Sequence, residues 1–84
     1  MKSMALFVTT IIIKNADIQA LSAIKKGLPP KLYRLIIYTF SEPGKSTLHV
    51  ELERQAQTIE TVVNEVLSVL EKLSLGFSFT ITYR

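Results

Sequence analysis

The chain predicts one two-layer α+β domain over residues 1–84, with the element order β-α-β-β-α-β and both helices on one face of an antiparallel sheet. Three observations predict it. Four runs are rich in β-branched and aromatic residues, two segments repeat apolar residues at helical spacing, and each junction carries Gly, Pro or a capping side chain.

The first strand runs from about Ala5 to Lys14 and is apolar on both faces, as a central strand is. Asn15 or Asp17 caps a helix whose apolar positions are Ile18, Leu21, Ile24 and Leu28. Gly27 stands where a left-handed C-cap belongs, and Pro29-Pro30 forbids continuation. The second strand is Leu32 to Phe40, with Leu32, Ile36 and Phe40 on one face and Leu35 and Ile37 on the other. A hairpin loop over Ser41–Lys45, with Pro43 and Gly44 supplying the turn, leads to a third strand from Ser46 to Glu53. That strand alternates Leu48, Val50 and Leu52 with Thr47, His49, Glu51 and Glu53.

Thr58 caps the second helix, Glu60 lies in its first turn and Gly76 is its stop. Ile59, Val62, Val63, Val66, Leu70 and Leu73 form its core stripe, which Leu67 and Val69 widen beyond what one sheet face requires. The last strand, Phe77 to Arg84, alternates strictly, as an edge or half-buried strand does. Two right-handed crossovers then build the split β-α-β, or ferredoxin-like, plan. Its second sheet face is bare, yet the first two strands carry apolar residues there. At about 25 cal/mol per Å² of apolar surface, a few such side chains offer several kcal/mol of association, so a dimer is expected.

Composition narrows the function. Apolar residues are 48% and charged residues 20% of the chain, a balance that argues against disorder. With no cysteine, disulfide scaffolds, thiolate metal sites and thiol catalysis are excluded, and a reducing cytoplasm suits the chain. No apolar run approaches the roughly 20 residues of a membrane span. The N-terminal stretch superficially resembles a signal peptide, but Thr9 and Thr10 interrupt it and no small-residue cleavage site follows, so it is read as structure.

Charge is uneven. Residues 1–41 carry six basic groups against one acidic, Asp17, for +5, and residues 42–84 sum to −2. Lys25, Lys26, Lys31 and Arg34 fall in an acid-free segment that can meet phosphate, although Lys25 and Lys26 also suit the last turn of a helix.

Catalytic and cofactor patterns are missing, and a non-enzyme without metal or cofactor is expected. The single His49 with Glu51 offers two metal ligands at most, and an exposed cross-strand pair is the simpler reading. Gly27, Gly44 and Gly76 are dispersed turn residues rather than a phosphate loop. Lys14-Asn15-Ala16-Asp17 lacks the Arg that an acylphosphatase-type anion loop requires. Base stacking on the sheet is disfavoured, because the third strand presents His49, Glu51 and Glu53 instead of aromatic residues.

The stretch Leu52–Leu75, LERQAQTIETVVNEVLSVLEKLSL, resembles the small Pcc-type subunit of the KEOPS complex. That family has a third strand ending in an acidic residue, a polar break, and a helix reading roughly S-x-L-R-A-x-x-N-S-x-L. Thr58 matches its cap, and Asn64 and Leu67 match its Asn–Leu pair. Ala20–Pro29 is similar to the family's first helix and its Pro-containing end. Glu60 stands where the family has Arg, one extra residue precedes the helix, and the last strand is more distinct, so a diverged paralogue is implied. The resemblance implies a non-catalytic subunit in threonylcarbamoyl-adenosine modification of tRNA. Such a chain dimerises with itself or a Pcc-type paralogue and docks on the catalytic subunit. Val63, Asn64, Leu67 and Val69 would meet a partner, and Lys25, Lys26, Lys31 and Arg34 would steer tRNA. The alternative is a ferredoxin-like homodimer that binds a small ligand or regulates another protein.

Overall fold

A computed structural model describes residues 3–41 and 46–83. The elements are β1 (Ala5–Lys14), α1 (Ile18–Gly27), β2 (Arg34–Phe40), β3 (Thr47–Ala56), α2 (Ile59–Glu71) and β4 (Phe77–Tyr83). The strands form one antiparallel sheet in the order β2-β3-β1-β4, the ferredoxin-like topology.

Strand β1 pairs with β3 along its full length, from Ala5 opposite Ala56 to Lys14 opposite Thr47. This is why β3 continues three residues past the expected Glu53. The pleat sends Phe7, Thr9, Ile11 and Ile13 of β1 to the helix side, together with Leu48, Val50 and Leu52 of β3, and all are buried. From above, α1 contributes Ala20, Leu21 and Ile24, and α2 contributes Val62, Val66, Val69 and Leu70. Each large aliphatic side chain among them contributes about 1.5–3 kcal/mol by leaving water.

The bare face is less apolar than its central strand suggests. Val8 is only 5% exposed, between Glu53 of β3 and Thr82 of β4. Ile12 and Ile37 stay open to solvent.

Strand β2 departs from the expected alternation. Leu32 lies in a turn, where its N–H and that of Tyr33 both donate to the Pro29 carbonyl. A bulge then places Leu35 opposite Leu52 but Ile37 opposite Glu51, leaving Ile36 as the extra residue. Leu35, Tyr38 and Phe40 therefore share the helix side, while Arg34, Ile37 and Thr39 share the bare face. The expected hairpin loop has residues 42–45 outside the described residues. At its base Ser41 N–H donates to the Thr47 carbonyl, and Thr47 N–H donates to Ser41 Oγ at 2.9 Å.

The helix ends correct two expectations. Asp17 is the α1 cap, its carboxylate accepting from the Gln19 and Ala20 N–H groups. Asn15 adopts φ 57°, so the bend out of β1 falls there. Gly27 is the last helical residue rather than a left-handed cap. Its importance is closeness: a Cβ there would lie 2.5 Å from Val69 Cγ2. Helix α2 ends before Gly76, where Ser74 takes the positive φ of 56°.

Gly27→Ala is therefore expected to destabilise the fold, because Val69 is β-branched and gives way poorly. Overpacking of about 1–3 kcal/mol outweighs the gain of roughly 0.8–1 kcal/mol in helix propensity. Denaturant midpoints should fall for Gly27→Ala and recover when Val69→Ala is added.

Candidate functional site

The partner residues expected on α2 divide between two sides of the helix. Val62, Val66 and Leu70 point into the core. Val69 joins them, 9% exposed and seated on Gly27 of α1. Its place is the junction of the two helices, so it is removed from the outward-facing set. Val63 and Leu67 are half-buried and Asn64 is exposed. At 100° per residue, Val63 and Leu67 lie on the flank of α2 away from Val69 and α1. Together with Ile59, 38% exposed, they make the outer apolar side of the helix.

A polar cluster that the sequence patterns did not reveal ties α2 to the sheet. Arg54 occupies a helix-facing position of β3, opposite Phe7, where the preceding inward residues are Leu48, Val50 and Leu52. Its Nη2 donates to Glu65 Oε2 at 3.1 Å, and its Nη1 donates to the Gln55 carbonyl at 2.6 Å. Nε lies 2.8 Å from Glu65 Oε1 without a hydrogen-bonding alignment, so that contact is one of charge alone. Tyr33 Oη donates to the same Oε1 at 2.6 Å, and the Arg54 guanidinium sits 5.5 Å from the Tyr33 ring centroid. Burial pushes the Tyr33 phenol above its ordinary value near 10, and the hydrogen bond and negative charge of Glu65 raise it further. The nearby Arg54 charge opposes that rise. The available signal was Arg54 itself, since a charge at an inward strand position requires a partner.

The expected basic set is also divided. Lys25 Nζ lies 5.4 Å from the centroid of the Tyr38 ring, which packs edge-on to Phe40. Lys26 and Lys31 are exposed, in the last turn of α1 and in the turn that follows. Arg34 belongs to the opposite face of the sheet. It stands beside Glu53 in the β2–β3 register, with Nη1 2.7 Å from Glu53 Oε1, and is no longer counted with the lysines. His49 and Glu51 lie on the same bare face, half-buried. Among the described residues, no group of three or more His, Asp or Glu side chains gathers to hold a metal ion.

No protein-family model matches the chain, and no curated protein matches it. Solved structures share the fold. A de novo designed protein aligns with TM-score 0.63 and 14% identity, over 94% of this chain and 98% of its own. A dinuclear metal-binding peptidase of the M20 family from Bacillus subtilis aligns with TM-score 0.67 and 12% identity over 95% of this chain. A tripeptidase from Staphylococcus aureus aligns with TM-score 0.60 and 11% identity, also over 95%. This chain spans only 26% and 29% of those two peptidases, and identities this low establish the shared fold alone.

Tyr33→Phe removes one hydrogen bond to a carboxylate that Arg54 still holds. Because Glu65 is a third exposed, a loss near the low end of the usual range, about 1.5 kcal/mol, is expected at neutral pH. The raised phenol makes the wild type's Tyr33 contribution complete below pH 10, and it is lost as pH climbs beyond that value. Thermal melts should show a smaller alkaline decline for Tyr33→Phe than for the wild type.

Proposed function

We propose that this chain is a non-catalytic assembly subunit, of the Pcc type, in a complex that modifies tRNA with threonylcarbamoyl-adenosine. The carrying observation is the outward presentation of Val63, Asn64 and Leu67 on α2, a helix that Glu65 ties to Tyr33 and Arg54. Two apolar side chains stay half-uncovered while the inner stripe already fills the core. Such a flank suits docking against a helix of the catalytic subunit, read as apolar anchors at i and i+4. The sequence resemblance, which places the Asn–Leu pair at Asn64 and Leu67, supplies the identity of that subunit.

The tRNA contact in this reading belongs to Lys25, Lys26 and Lys31, with Tyr38 beside Lys25 as an exposed ring. Glu60, on the exposed first turn of α2, keeps phosphate away from the docking flank. Nucleic acid is therefore met near the end of α1 and the protein partner along α2.

Leu67→Glu should weaken retention of the catalytic subunit in tagged pull-downs, while circular dichroism stays that of the wild type. A chain that unfolds instead would make Leu67 a core residue, and retention of neither that subunit nor a Pcc-type chain by the wild type would leave the regulatory or ligand-binding homodimer as the reading. Lys25→Glu with Lys26→Glu should weaken tRNA binding by roughly one salt-sensitive phosphate contact per lysine, read as a shallower slope of log affinity against log salt. An unchanged slope would remove the α1 terminus from the tRNA contact.

A further inference from the structure

We propose that the outer edge of β4 is the pairing surface for a second copy of this chain, with the two-fold axis passing through Thr80. This rests only on the association part of the function proposed above, and its hydrogen bonds come from the sheet edge that adjoins the α2 flank.

The two sheet edges differ in protection. Strand β2 carries the bulge at Leu35/Ile37 and begins at Arg34 with its ion pair, features that discourage edge-to-edge pairing. Strand β4 has neither. Its seven residues, FSFTITY, contain no charge and no proline, and they pair with β1 in unbroken register. Among the described residues no strand lies on its other side. A regular, neutral edge of this kind is a template for another strand.

The ladder identifies which backbone groups are free. Lys14 N–H donates to the Gly76 carbonyl, so the even-numbered residues of β4 turn their hydrogen-bonding groups toward β1. Phe77, Phe79, Ile81 and Tyr83 therefore direct theirs outward. An antiparallel copy centred on Thr80 matches Phe79 with Ile81 and Phe77 with Tyr83, in both directions, and leaves none of these four residues unused. Centring on Phe79 would strand Tyr83. The Thr80 register is thus the one in which a symmetric, isologous contact uses the whole edge.

Side chains agree with that register. On the helix side it sets aromatic against aromatic or aliphatic residues, and on the bare face it sets Thr80 against Thr80 and Ser78 against Thr82, pairs that favour cross-strand association. No like charges meet. Tyr83, 71% exposed, already packs edge-on to Phe7 and lines a groove with Ala5 and Ile59. A seven-residue strand gives a contact about 24 Å long. With the α2 layer above it, that contact falls at the small end of specific interfaces, so dimerisation should depend on concentration.

Sedimentation of the purified chain from micromolar to millimolar concentration tests the proposal. The wild type should pass from monomer to dimer, Thr80→Lys should remain monomeric with an unchanged melting curve, and an equal mixture of Thr80→Lys and Thr80→Glu chains should dimerise again. Because the chain has no cysteine, Thr80→Cys should cross-link to itself on oxidation, whereas Ser78→Cys, displaced from the axis, should not. A wild type that stays monomeric, a Thr80→Lys dimer, or equal cross-linking at both positions would each overturn the proposal. A chain that retains the catalytic subunit but never dimerises would overturn this proposal and leave the α2 docking reading standing.

Discussion

The ladder between β1 and β3 is the constraint on which the rest of the molecule depends. Strand side chains alternate with period two, so this one register decides for both strands which residues enter the core and which face away. It puts Ile11 with Val50 and Ile13 with Leu48 under the helices, all completely buried. The same register delivers Arg54 to the helix side, where it needs an anion, and Glu53 to the other, where it meets Arg34. Hydrophobic burial and ion pairing are consequences of a single backbone alignment.

The Arg54 cluster shows how a small domain uses a charge in place of more core. An arginine in this position is costly if left alone, and removing a partner from such a group is more damaging than never having had the pair. Here Glu65 comes from α2, Tyr33 from the turn before β2 and the Gln55 carbonyl from β3 itself. Three separate parts of the chain are thereby tied to one guanidinium. The buried stripe Val62, Val66, Val69 and Leu70 sets which face of α2 meets the sheet, and the Glu65 carboxylate adds a directional tie beside it. The outward direction of Asn64 and Leu67 follows from that stripe.

Much of the architecture was legible in the residues because local signals agreed with the tertiary arrangement. The β-branched run of β1, a cap at Asn15 or Asp17 and the alternation of β3 and β4 each reflect one dominant interaction. Strand β2 was read in the wrong phase because a bulge is set by its partner strand and leaves no mark in the apolar pattern. Gly27 looked like a turn residue because its real requirement, room for Val69, arises from a contact between residues 42 positions apart. Val69 was assigned outward for the same reason. Of the candidate site, half-buried Leu67 was visible as excess width in a helical stripe, whereas Val63, equally half-buried, fell within the expected core stripe. The separation of Arg34 from the lysines was not visible, because neighbours in sequence occupy opposite faces of a sheet.

The bulge in β2 also bears on how this fold tolerates changes in length. Leu35 faces Leu52 and Ile37 faces Glu51, so Ile36 is in effect an insertion that the sheet has already absorbed. Its deletion would leave every remaining pair of the β2–β3 ladder in place. A residue gained or lost within β1 has no such refuge, because β1 is bonded to β3 on one side and to β4 on the other, and two ladders would fall out of step together. A change in length is thus absorbed at one edge of the sheet, and its centre admits substitution only.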